Sequence, residues 1–119
     1  MSELSIGIDI EEVSRFENKS FENDIDFLNR IYTENELKYC YKSVNYAQHL
    51  CSRYCAKEAV VKALSDFKIS DVFYKDIEIL NNESGAPYVN ILKYPNLKVK
   101  VSLSHCKTYA VANVLIIND

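Results

Sequence analysis

The sequence predicts an α+β fold, an antiparallel sheet packed against a long central helix, from three observations. Strict apolar–polar alternation occurs at the N-terminus and again through the last third. One uninterrupted helical pattern fills the middle, over residues 45–64. The order is therefore one strand, then helices, then a run of strands, rather than repeating strand–helix units. At 119 residues, the chain is read as one domain, 1–119.

Residues 4–10 (LSIGIDI) read as a half-buried strand. Leu4, Ile6, Ile8 and Ile10 face one way; Ser5, Gly7 and Asp9 face the other. A short amphipathic segment follows over 11–18, with Val13 and Phe16 as its apolar side. The polar stretch 19–26 reads as a loop, and IDFLNRIY at 25–32 as another helical turn or two. Thr33-Glu34-Asn35-Glu36 fits a capping box, Thr33 at the N-cap and Glu36 three residues on, opening a helix through Tyr41. The long helix runs from Asn45, a fitting cap, to Leu64, with no proline or glycine inside it.

Residues 76–80 (DIEIL) alternate, 81–87 form a turn cluster, and YVNIL at 88–92 resumes strand character. Residues 98–104 and 109–117 pair as a hairpin through the tight connection His105-Cys106-Lys107-Thr108.

Composition excludes several classes. Fourteen basic against 17 acidic residues give a net charge of −3, which disfavours a broadly basic nucleic-acid binder. No apolar run is long enough to span a membrane. The first residues, MSELSIGIDIEE, carry neither a basic n-region nor a long apolar core, so a cytoplasmic location is expected. In that reducing compartment Cys40, Cys51, Cys55 and Cys106 are read as thiols. Cys51 and Cys55 are spaced too widely for a usual zinc pair and suit a small-hydrophobe role in the core. With two glycines, Gly7 and Gly85, the chain can build neither a Rossmann fingerprint nor a Walker A loop. Phosphate chemistry here needs side chains, a metal or a helix terminus.

Four places carry chemistry. Asp9 sits near a strand end, followed by Glu11 and Glu12; a carboxylate there suits a hard cation such as Mg²⁺, or simply caps the next segment. Glu58 and Lys62 are spaced i, i+4, which fits an ordinary surface pair or one wall of a metal and anion site. His105 follows the strand VSLS and could meet phosphate or move a proton, or be a solvated turn residue. Gly85 in Ser84-Gly85-Ala86-Pro87 marks a positive φ or a close backbone approach.

Taken in order, GIDI at 7–10, RIYTENEL at 30–37, RYCAKEAVVKAL at 53–64, DIEILNNESGAPYV at 76–89 and VSLSHCKTYAVANV at 101–114 resemble the holo-(acyl carrier protein) synthase family, the small phosphopantetheinyl transferases. The resemblance runs from about residue 6 to residue 117.

It implies transfer of the phosphopantetheine arm of coenzyme A to a serine of apo acyl carrier protein, releasing adenosine 3′,5′-bisphosphate. By the family pattern, Asp9 and Glu58 hold Mg²⁺ against the diphosphate. Lys62 meets the phosphates and His105 lies near the nucleotide phosphates. Arg53 supports the 3′-phosphate side, and the Gly85–Pro87 turn lines the adenine. Glu58, acting directly or through a metal-bound water, is the candidate base for the serine. The resemblance further implies a homotrimer with sites between subunits and, as the default partner, a carrier protein of fatty acid biosynthesis.

Two departures stand out. Residues 17–26, usually basic in the family, hold Glu17, Glu22, Asp24 and Asp26 against Lys19 alone, which weakens steering of an acidic carrier. Ala86 stands where the family often has Arg or Lys. The alternative is a non-catalytic relative that binds coenzyme A or a carrier protein. Such a binder has little need for both metal carboxylates.

Overall fold

The computed structural model describes residues 3–119. Strand β1 (Glu3–Glu12) pairs antiparallel with β5 (Tyr109–Asn118), and β5 pairs antiparallel with β4 (Lys98–His105). The sheet order is thus β1-β5-β4, with β1 and β4 on its two edges. Between β1 and β4 the chain forms a 3-10 turn (Val13–Phe16), α1 (Ile25–Ile31), α2 (Glu34–Tyr41), α3 (Tyr46–Ser65) and a second 3-10 turn (Tyr74–Asp76). A hairpin of β2 (Ile77–Asn81) and β3 (Pro87–Ile91) makes a second, two-stranded antiparallel sheet, so the strands form two sheets where the sequence suggested one. His105 is the last residue of β4, not part of the connection after it.

α3 is central because its small and apolar residues face several directions at once. Cys55, Ala56, Ala59, Val60, Ala63 and Leu64 pack into the cluster beneath β4 and β5. Leu50 and Cys51, nearer its start, join Val13, Phe16, Leu28 and Tyr32 in a second cluster. Asn45 occupies the N-cap of α3 but makes no side-chain cap bond.

β1 buries the side opposite to the apolar one. Leu4, Ile6, Ile8 and Ile10 are exposed, Ile6 by 75%, while Ser5 and Gly7 face α3. The reason is close packing. A Cβ at Gly7 would lie 2.0 Å from the Ala59 carbonyl oxygen. Ser5 Oγ donates to the Ala63 carbonyl at 2.6 Å, which satisfies the one polar group this contact buries.

The capping box on α2 forms as the sequence predicts, and Glu36 does more than cap. Its Oε1 accepts from the Thr33 amide at 2.8 Å and its Oε2 from the Ile79 amide at 2.8 Å. The same carboxylate pairs with Lys57 at 2.7 Å, both side chains being 0% exposed. Lys57 Nζ also donates to the Tyr74 carbonyl at 2.8 Å and the Ile77 carbonyl at 2.5 Å. Burial pulls the Lys57 ammonium down while Glu36 pulls it up. This pair, satisfied on both sides, ties α2, α3 and β2 together.

Candidate active site

Asp9 projects from the inward face of β1 toward α3. Lys62 Nζ reaches it, donating to Asp9 Oδ1 at 3.1 Å and to the Ile8 carbonyl at 3.0 Å. The i, i+4 partner expected for Lys62 is therefore displaced: its hydrogen bonds go to β1, and Glu58 bonds through Oε1 to the Tyr74 hydroxyl instead. The Asp9 carboxylate holds the Lys62 ammonium above its usual range, and the Glu58 carboxylate adds to this. Lys62 is thus drawn to Asp9 at the edge of β1, with the Glu58 carboxylate one helical turn before it on α3 and near enough to act on its charge.

Two observations bear on a cation at this place. Asp9 Oδ2 is buried with no hydrogen-bond partner, which is costly for a carboxylate oxygen. Glu11, two residues on along β1, is pushed up to about 7 by burial and by the Asp9 carboxylate beside it. A second carboxylate so close makes a lone buried carboxylate oxygen costlier still, and a cation at Asp9 Oδ2 would relieve both. An all-oxygen pair from Asp9 and Glu58 fits Mg²⁺, which takes one or two carboxylates and fills its shell with substrate oxygens and water.

A different pocket forms on the β4 side of α3. It holds about 320 Å³ and is lined by Tyr39, His49, Arg53, Asn81, Pro87 and His105 among others. Arg53 is 3% exposed. Its guanidinium lies 4.1 Å from the Tyr39 ring centroid and donates through Nη2 to Asn81 Oδ1 at 2.5 Å. Arg53 Nε and the neighbouring Ser52 Oγ are buried without partners. Burial and the nearby charges of Arg53 and His105 lower His49. A fixed guanidinium with a spare donor, beside two histidines, suits an anion.

The Gly85 turn is coupled to this pocket. Gly85 has φ +87°, as its position in the turn predicts, and a Cβ there would meet nothing within 4 Å. Asn81 Nδ2 donates to the Gly85 carbonyl at 2.9 Å while Asn81 Oδ1 accepts from Arg53. Pro87 lines the pocket. Sequence reasoning missed Asn81 and His49. Asn81 was absorbed into a turn cluster, and His49 lies four residues before Arg53 on α3, the one signal that could have found it.

Asp9 and His105 lie on opposite edges of the three-stranded sheet, with β5 between them. That spans about two strand spacings, roughly 10 Å. The sequence-derived residues therefore fall into two groups: Asp9, Glu58 and Lys62 on one side of α3, Arg53, Pro87 and His105 on the other.

This fold is that of a phosphopantetheinyl transferase. The family model of the 4′-phosphopantetheinyl transferase superfamily matches residues 5–114, and the chain belongs to that family. It is similar to holo-[acyl-carrier-protein] synthases of Protochlamydia amoebophila (41% identity, 92% of this chain and 93% of the relative) and Oceanobacillus iheyensis (43% identity, 93% of each). Among solved structures, it is similar to the Bacillus anthracis holo-(acyl-carrier-protein) synthase in complex with CoA (3′,5′-ADP), with a TM-score of 0.78, 31% identity, and coverage of 97% of this chain and 96% of that one. Among the described residues, no helix is long and apolar enough to cross a membrane.

Proposed function

We propose that this chain is a holo-acyl-carrier-protein synthase that uses Mg²⁺. It would transfer the phosphopantetheine arm of coenzyme A to a serine of apo acyl carrier protein and release adenosine 3′,5′-bisphosphate. The observation that carries the reading is the pairing of a carboxylate with a spare buried oxygen, Asp9 Oδ2, and a buried guanidinium with a spare donor, Arg53 Nε. A cation held at Asp9 would satisfy the first and the 3′-phosphate of coenzyme A the second.

Bound between Asp9 and Glu58, Mg²⁺ would neutralise charge on the diphosphate. Lys62 is placed to follow the charge that develops on the phosphoryl oxygens as the bond breaks. Arg53 and His105 bind the nucleotide end, and the Gly85–Pro87 turn, fixed through Asn81, lines the adenine. The protein's work is positioning and charge neutralisation rather than covalent chemistry. Ala86 offers no charge of its own, so nucleotide binding rests on Arg53 and the histidines.

The two residue groups lie on opposite sides of α3, so a second copy would complete each site, as in a homotrimer. The exposed stripe of Leu4, Ile6, Ile8 and Ile10 supports such an assembly, since contiguous apolar surface of this kind marks an interface. A carrier of fatty acid biosynthesis is the default acceptor. The acidic stretch 17–26 points to a carrier that docks with little help from long-range attraction.

Intact-mass spectrometry of apo acyl carrier protein incubated with this protein and coenzyme A tests the reading. One phosphopantetheine should be gained with Mg²⁺ and none with a chelator. Absence of any gain across several carriers would overturn it.

A further inference from the structure

Tyr74 lies outside every motif that drew attention in the sequence, yet two adjacent residues of α3 grip it from both ends. Lys57 Nζ donates to its backbone carbonyl at 2.8 Å, and its hydroxyl bonds to Glu58 Oε1. Lys57 is itself immobilised by Glu36 and by the Ile77 carbonyl, inside the core. The ring packs on Tyr54, centroids 5.5 Å apart, and the Tyr54 ring carries the Arg15 guanidinium at 5.2 Å from its centroid. The 3-10 turn bearing Tyr74 is closed by Asp76, whose Oδ2 accepts from the Phe73 amide at 2.9 Å. Tyr74 is therefore a rigid post, with backbone, ring and hydroxyl all held.

A glutamate on a helix surface has three side-chain torsions and no fixed carboxylate position. Glu58 is not left in that state. We propose that Tyr74 is a positioning residue for the transfer reaction: its hydroxyl fixes the Glu58 carboxylate in the orientation that faces Asp9 and Lys62. The inference rests on the reading of Glu58 as a functional carboxylate. It adds the chain of contacts Glu36–Lys57–Tyr74–Glu58, through which the buried ion pair sets the geometry of a half-buried reactive group. Outer partners of this kind typically matter by about 10–100-fold in metal affinity or activity.

The test uses the full chain with Tyr74→Phe, Glu58→Gln and the double variant. Tyr74→Phe keeps the ring contact with Tyr54 and removes only the hydroxyl. Its kcat should fall by roughly 10–100-fold with KM for coenzyme A unchanged. Mn²⁺ binding in the presence of coenzyme A, read by electron paramagnetic resonance, should weaken by about tenfold. The double variant should be no slower than Glu58→Gln alone, since the hydroxyl, which also meets the Tyr54 side chain, affects the reaction through that carboxylate. Wild-type kcat and Mn²⁺ affinity in Tyr74→Phe, beside an inactive Glu58→Gln, would overturn the positioning role and leave the Glu58 reading intact. Additive losses in the double variant would overturn it as well. Full activity in Glu58→Gln would instead overturn the reading beneath it.

Discussion

Lys62 and Arg53 stand about two and a half turns apart on the same helix and are held in opposite ways. The Lys62 side chain is 54% exposed and rests on the open edge of β1. Arg53 is buried, stacked on Tyr39 and bonded to Asn81. The difference fits the roles proposed for the two residues. A residue that binds a fixed anion gains from being frozen in advance, because binding then costs less ordering. A residue that follows charge moving along a breaking bond needs an open position and a flexible stem, which lysine supplies. Between them sits the sealed Lys57–Glu36 pair, which ties α2, α3 and β2 together and anchors the backbone of Tyr74.

The comparison breaks most completely at Lys57. Lys57→Ala leaves Glu36 buried and uncompensated, and should cost about 3–5 kcal/mol of folding stability in urea denaturation, disabling both groups together. Lys62→Ala and Arg53→Lys sharpen the contrast. The first should lower kcat by about 10²–10³ with KM for coenzyme A nearly unchanged. Because the Lys62–Asp9 contact is partly exposed, its folding stability should change by less than about 1 kcal/mol. Arg53→Lys keeps the charge but loses the fork and the stacking, so KM for coenzyme A should rise by about tenfold while kcat changes little. Equal effects of the two variants on kcat would erase the distinction. The smallest effect is expected for Thr33→Ala, which removes the cap of α2 at about 1 kcal/mol in a thermal melt and leaves both kinetic constants in place.

Periodicity and caps made most elements legible. The Thr33–Glu36 box, the helix starting after Asn45 and the hairpin before Tyr109 all lie within a residue or two of their expected bounds. What alternation cannot say is which face of a strand is covered. In β1 the decision belongs to Ala59 and Ala63, some fifty residues away, whose small side chains let the helix lie against Gly7 and Ser5. The apolar face is left outward, and the two-sheet arrangement is equally a matter of tertiary pairing. At the site, Asp9, Glu58, Lys62, Arg53 and His105 were legible through their order along the chain. Asn81, His49 and Tyr74 were not, because their roles depend on contacts made after folding, with Arg53 and Glu58 as partners. Lys57 was visible inside its motif, but nothing local distinguishes a buried lysine from an exposed one.

The central claim is that Asp9, Glu58 and Lys62 of one copy work with Arg53 and His105 of another. Co-expression of Lys62→Ala and His105→Ala chains tests it most directly, with phosphopantetheine transfer read by intact mass. Each variant alone should be strongly impaired. In mixed assemblies random pairing restores roughly a quarter of the sites, each joining two intact halves, and activity should rise to about that level of the wild type. Activity no higher than the mean of the two separate variants would contradict the account and place the whole site within a single copy.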